Sequence, residues 1–465
     1  TCTNGCLFIQ EMIFRSRKAG GGNISFNDTL DAGPGHRCLR SITDGTTTFL
    51  GEVGGGNPFV EFTTGEINGT FAGPLIFNAD VTTTGLQLYR GDITVGGAVT
   101  FTSTGDIPLD PADDTTPQST DDITLNSTLD GGFAVSINTD GTTTFGNTVG
   151  GTEALGSLST DSGGTVVFNG DVSTTGAQTY NDGATVGSAI IFSSTGGGDI
   201  VYNSILDGGF AVNINTTGAT IFADAVGGTT ALSSLTTDAG GTVAFNGDIT
   251  TTGVQTYNDA ATLTNNAACS STGNGDITLN STLDGDFDVN VNTGGATTFG
   301  DAVGGTSALS NLGTDIGGST QLLGNITTTG AQTYADDLII GAVGTADLLQ
   351  LTATDVQFGS KITFDITGRN TNDSLSITGG VDLNNATLEL LNGGHATPYR
   401  GEIYTLIAND GADPILGIFN GLDELATITV GNVEYQISYV GGDGNDVTLT
   451  VMSSRFKPTI IMMIL

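Results

Sequence analysis

A 77-residue segment recurs three times in this chain, and that recurrence limits the fold to architectures in which near-identical units stack on one another. GDI or DDI opens a copy at Asp122, Asp199 and Asp276. Phe133, Phe210 and Phe287 keep the spacing, as do Phe145, Phe222 and Phe299. A GAQTY or GVQTY string ends at Tyr180, Tyr257 and Tyr334. The copies run 121–197, 198–274 and 275–351. A degenerate copy occupies 23–120, with NISFNDTLDAG from Asn23, TTTF to Phe49 and TTTGLQLY to Tyr89. Its end, PLDPADDTTPQST at 108–120, carries three prolines and reads as an exposed loop or a break between turns.

Inside a unit, runs of four to six β-formers (ITLN, TTTF, TVVF, AQTY, AIIF) alternate with turn clusters such as LDGG, TDSGG and STGGG. No window carries a helical period over ten residues, so the block reads as β. Tandem sandwiches and a stacked solenoid both fit many short strands, but a 77-residue sandwich has little room for a core. An inner pattern favours the solenoid: an aromatic or Leu followed by Asn or Gly at Leu125-Asn126, Phe145-Gly146, Phe168-Asn169, Tyr180-Asn181 and Tyr202-Asn203. The steps between them are 20, 23, 12 and 22 residues, near the length of one β-helix coil except for the 12. The unit therefore holds three to four coils, and the short step has no assignment to a face. The segment 352–451 (KITFDIT, SLSITG, ATLELL, EIYTLIA, EYQISYV, VTLTV) has fewer turns and reads as a β cap that ends the stack.

Charge narrows the function. Lys and Arg total 11 against 49 acids, of which only 9 are Glu, and Gly91 to Ser360 contains no Lys, Arg or His. Phosphate and nucleic-acid partners need cationic donors, so neither is expected. The same deficit removes the usual base, uronate-binding and oxyanion-stabilising groups of a catalytic site. Paired carboxylates at Asp113-Asp114 and Asp336-Asp337 keep a polysaccharide-cleaving enzyme open as an alternative, and His395 reads as a surface residue in a glycine turn. Cys2, Cys6, Cys38 and Cys269 are too few and too uneven for a disulfide framework, and His36 beside Cys38 lacks the second pair of a zinc site. No transmembrane segment is expected, since the closing IIMMIL is far shorter than the ~20 residues that span a bilayer.

Three repeated features admit a binding reading beside a structural one. The aromatic series could stack sugars, but aligned side chains inside a coil are the simpler reading. Threonine runs such as Thr142 to Thr144 and Thr250 to Thr252 could order ice, yet they fall at turns rather than on every rung. The recurring Asp130, Asp207 and Asp284, and Asp161, Asp238 and Asp315, are too far apart to share an ion and read as acidic surface. One string, GGDGNDVTL at 441–449, matches part of a calcium-binding nonapeptide, which makes Asp443, Asn445 and Asp446 the metal candidates. It occurs once, with Thr448 where a large apolar residue belongs. No cofactor is required, and Ca2+ is the one ion considered.

The unit TLDGGFAVxINTxGxTTF…VGGTxALxSLxTDxGGT…TTTGAQTYND resembles the repeats of filamentous-haemagglutinin-like and autotransporter-passenger bacterial adhesins. The stretch 381–451, VDLNNATLELLNGG to DVTLTV, is similar to the segment that closes many such passenger regions. Together they cover about 23–451. The resemblance implies a right-handed parallel β-helix exposed on, or released from, a Gram-negative-type envelope, and brings no catalytic residues. The first 22 residues and the tail 452–465 match nothing in the repeats and read as fragment ends. The expectation is an all-β, non-catalytic, acidic β-solenoid that binds glycans or matrix proteins along its length, with self-association as a further option. A calcium- or ice-ordering solenoid is the other alternative.

Overall fold

The computed structural model describes residues 10–16, 21–33, 36–66, 72–105, 120–391, 398–411 and 413–454. Cys2, Cys6, Asp113, Asp114, His395 and most of the 108–120 insert lie outside them. The described residues contain strands, turns and bends and no helix, and they fall into two compact units, 1–249 and 250–465. Each unit is a parallel β-solenoid.

In the first unit the chain visits three parallel ladders in a fixed order. One ladder runs through Gln87–Tyr89, Ile123–Leu125, Thr142–Phe145, Thr165–Phe168, Gly183–Val186 and Leu206–Asp207. A second contains Ile93–Val95, Leu129–Asp130, Val172–Thr174, Ile190–Ser194 and Ala211–Thr216, with Val149 bridging Leu129 to Val172. The third holds Val99–Ser103, Ala134–Thr139, Ser157–Thr160, Gln178–Tyr180, Ile200–Tyr202 and Ala219–Phe222. Three short strands thus close one coil, and each pairs with the strand one coil above.

This register explains the irregular inner spacing. The 20-, 23- and 22-residue steps are whole turns: Phe145 lies over Leu125, Phe168 over Phe145, and Tyr202 over Tyr180. The 12-residue step from Phe168 to Tyr180 is two-thirds of a turn, from the first ladder to the third. One 77-residue repeat is therefore three and two-thirds turns. Its first strand is on the first ladder at Ile123–Leu125 and on the third at Ile200–Tyr202. The structure thus resolves the open assignment of the short step.

Side chains alternate in and out along each strand, and the buried–intermediate–buried pattern recurs from Leu75–Phe77 to Gln332–Tyr334. The inward positions stack from turn to turn. Phe26, Phe49 and Phe77 have ring centroids 5.0 Å apart at each step, and Phe145 and Phe168 are 5.3 Å apart. A coil has little interior volume, so large flat side chains fill it economically while each also contacts its equivalents above and below.

The second unit keeps three ladders. Gln255, Ile277, Thr297, Thr320, Leu338, Ile362 and Leu388 follow one another on one of them. Parallel pairing persists to Ser374–Asp382 against Ile403–Asn409. Pairing then turns antiparallel, with Ile403–Asn409 against Asp446–Ser454, that strand against Val433–Gly441, and Val433–Gly441 against Thr427–Val430. A stack that ends in a hairpin and not a flat parallel strand offers a poorer template for edge pairing.

Candidate functional site

The repeated aspartates sit at the corners of the coil, and their carboxylates hold neighbouring turns together. Asp130 Oδ1 accepts the Thr152 amide at 2.8 Å, Asp207 those of Thr229 and Thr230 at 3.1 Å, and Asp284 that of Thr306 at 2.8 Å. A second set points the other way along the stack: Asp161, Asp238 and Asp315 accept from Thr139, Thr216 and Thr293, each at 2.9 Å. A third set, Asp122, Asp199 and Asp276, takes the amides of Thr142, Ala219 and Ala296 at 2.8 Å. Corners leave amides outside the ladders, and a short side chain with two oxygens satisfies them without filling the turn. These nine aspartates are thus structural.

The stacked aromatics are internal, whereas the repeated Phe133 and Phe210 face outward. Phe145, Phe168, Phe222, Phe245, Phe299 and the tyrosines at 180, 257 and 334 are all buried. The GAQTY string builds a buried polar clasp around the tyrosine hydroxyl. Tyr180 Oη donates to Gln178 Oε1 at 2.9 Å, and Gln178 Nε2 donates to Thr174 Oγ1 at 3.2 Å and to the Ser193 carbonyl at 2.8 Å. The clasp recurs at Tyr89–Gln87–Thr83, Tyr257–Gln255–Thr251 and Tyr334–Gln332–Thr328. Burial pushes each of these tyrosine hydroxyls above its ordinary pKa, so each stays a neutral donor. Asparagines that follow these inward residues pair between adjacent turns, Asn203 to Asn181 and Asn280 to Asn258, both at 2.7 Å.

Outward positions of the first ladder read Thr124, Thr144, Val167 and Thr185, so the threonine row is broken at Val167. Asp336 and Asp337 face opposite sides of their strand. The buried Asp336 accepts hydroxyls from Thr314 and Thr320, while Asp337 pairs with Lys361 at 3.2 Å. They do not form a carboxylate pair across a cleft. Cys38 and Cys269 are buried thiols.

The metal candidates lie in the turn before Asp446–Ser454. Asp443 is exposed, Asn445 is buried, and Asp446 Oδ1 accepts the Asn409 amide at 3.0 Å. Burial raises the pKa of the Asp446 carboxyl above the usual carboxylate value, and the Asp443 charge adds to the shift. The structure brings Asn445 and Asp446 together with Asn409, which sequence spacing gave no reason to include. Among the described residues no three His, Cys, Asp or Glu side chains come together as a metal-holding group. No described helix is long and apolar enough to cross a membrane.

No family model matches the chain, and no curated protein matches it. Among solved structures it is similar to the crystal structure of the Haemophilus influenzae Hap adhesin, at 12% identity and a TM-score of 0.33. The match covers 92% of this chain and 59% of that one, so the chain spans less than two-thirds of that structure's length. The parallel coil itself is the fold that the repeat resemblance implied.

Proposed function

We propose that the chain is a non-catalytic β-solenoid of the cell surface or secreted medium of a Gram-negative-type bacterium, which binds glycans or matrix proteins through outward-facing side-chain rows. One observation carries this reading: most of the repeated residues that bear chemistry are committed to the fold. The aspartates cap corner amides, the stacked aromatics and glutamines fill the coil, and the outward positions present Thr, Ser, Asn and Val together with the repeated Phe133 and Phe210, which are 46% and 43% exposed. Recognition then falls to shape and hydrogen bonding over many turns and not to one reactive cleft. The scarcity of Lys, Arg and His supports a partner that is neither nucleic acid nor another polyanion.

Ice ordering draws no support from the first ladder, whose threonine row breaks at Val167. The test is binding of the purified chain to an array of glycans and matrix proteins, with and without calcium. Saturable binding to one chemical class is the expected outcome. Absence of binding to every class defeats the adhesive reading and leaves a passive spacer.

A further inference from the structure

Two buried side-chain oxygens in the second unit accept no hydrogen bond, and the amide nitrogens of the same two side chains share one acceptor, the Asp413 carbonyl. The oxygens are Asn409 Oδ1, at the end of Ile403–Asn409, and Asn445 Oδ1, one residue before Asp446–Ser454. The side chains are 4% and 7% exposed, so solvent does not serve them freely. The pairing of Ile407 with Val447 places the two asparagines opposite one another when the antiparallel register is extended.

Neither amide gains by turning over. Asn409 Nδ2 donates to the Asp413 carbonyl at 2.6 Å. Asn445 Nδ2 donates to the same carbonyl at 3.0 Å and to that of Gly411 at 3.3 Å. Rotation by 180° would set an amide oxygen against a carbonyl oxygen and forfeit the bonds to Asp413 and Gly411. The nitrogens are fixed by the Gly411 and Asp413 carbonyls, and the oxygens are therefore fixed away from them. A buried acceptor without a donor destabilises the fold, and here two occur on side chains that share one carbonyl partner. Asp446 touches both residues, as chain neighbour of Asn445 and as acceptor of the Asn409 amide.

Such a group lacks an electrophile. All its free donors are oxygens, two of them neutral amides, which suits a hard cation with a flexible coordination shell better than zinc or a tightly octahedral magnesium. We propose that Asn409, Asn445 and Asp446 bind a calcium-type cation, with waters completing the shell. The ion would tie the strand that ends the parallel stack to the last strand of the antiparallel hairpin. This site goes beyond the surface-binding role and does not depend on it.

The experiment uses the full chain, stripped with EDTA and titrated calorimetrically with CaCl2 and, separately, MgCl2 in excess NaCl. Calcium is expected to give a saturable isotherm that Asp446→Asn weakens at least about tenfold. Asp355→Asn, at an exposed acid in the same unit, should leave it unchanged. Hydrogen exchange of the wild-type chain supplies a reading that needs no variant: calcium should slow exchange at the Asn409, Asn445 and Asp446 amides. Identical isotherms for the wild type and Asp446→Asn, or exchange at these amides that ignores calcium, would overturn the proposal and assign ordered water to the two oxygens.

Discussion

Thr320 donates its hydroxyl to the buried carboxylate of Asp336 at 2.8 Å, while two repeats earlier in the sequence Val166 stands in the place of Thr320 and Asp182 in that of Asp336. Both aspartates are buried. Thr314 serves the other oxygen of Asp336, and the Gly164 amide serves one oxygen of Asp182, but Asp182 Oδ2 has no partner. Replacing Val166 with Thr should supply the missing donor and raise unfolding free energy by about 1 kcal/mol. Thr320→Val should cost about 1–3 kcal/mol, because it strands a carboxylate oxygen in the interior. Denaturant titration of the two variants decides the point, and shifts of the same sign would contradict it.

The tyrosine hydroxyls divide in a similar way. Tyr180 Oη is held by Gln178, whereas Tyr202 Oη, on the next turn of the same ladder, is buried without a partner. The positions equivalent to Tyr202 in the neighbouring copies are Leu125 and Leu279, so no clasp accompanies it. Tyr202→Phe should therefore be neutral or stabilising, and Tyr180→Phe should cost about 0.5–1.5 kcal/mol. Gln178→Leu should cost more than Tyr180→Phe, since it removes the acceptor of the Tyr180 hydroxyl and the amide donated to Thr174 and to the Ser193 carbonyl. Thermal midpoints of the three variants test that order.

Asp373 predicts a pH dependence. Burial, reinforced by Asp347 and Asp365, pushes its carboxyl up to about 6, against amide bonds from Asp347 and Asp365 that act the other way. Its folded pKa lies above the unfolded value near 3.9, so the folded state holds the proton more tightly. The stabilising contribution of the protonated group is full below about pH 4 and is lost as pH rises to about 6. Plotted against pH, wild-type stability minus that of Asp373→Asn should fall across this window and be flat above it. A difference that rises with pH would refute the assignment.

The corner pins make a further prediction. Asp284 accepts two amides, from Thr306 at 2.8 Å and Ser307 at 3.0 Å, with no compensating cation nearby in sequence. Asp284→Ala should cost about 1–3 kcal/mol, while Asp284→Asn, which keeps one acceptor oxygen, should recover much of that. Amide exchange at Thr306 and Ser307 should quicken in the alanine variant first. Unchanged exchange there would show that the carboxylate is dispensable.

Much of this was legible before any coordinates. Period, β class and the inward stack follow from alternation, because a residue one coil away must present the same side chain to the same interior. The 12-residue step was not legible, since spacing alone does not distinguish a short turn from a fraction of one; the pairing of Tyr180 with Tyr202 and of Phe168 with Phe145 was needed. The aspartates carried the right periodicity, but nothing in a residue type says that a carboxylate faces an amide one turn away and not water. Asn409 was invisible as a partner of Asp446 because 37 residues separate them and no repeat relates them.

The two-thirds turn left over in each repeat has a consequence for display. Within the first unit, a motif copied by duplication of 77 residues returns on the adjacent face of the coil, turned by about a third of a revolution. Extra copies therefore climb the solenoid as a spiral staircase, not a straight row of rungs. A flat partner would meet only every third step, so gain or loss of one repeat can preserve the core while changing the compass bearing of everything attached to its surface.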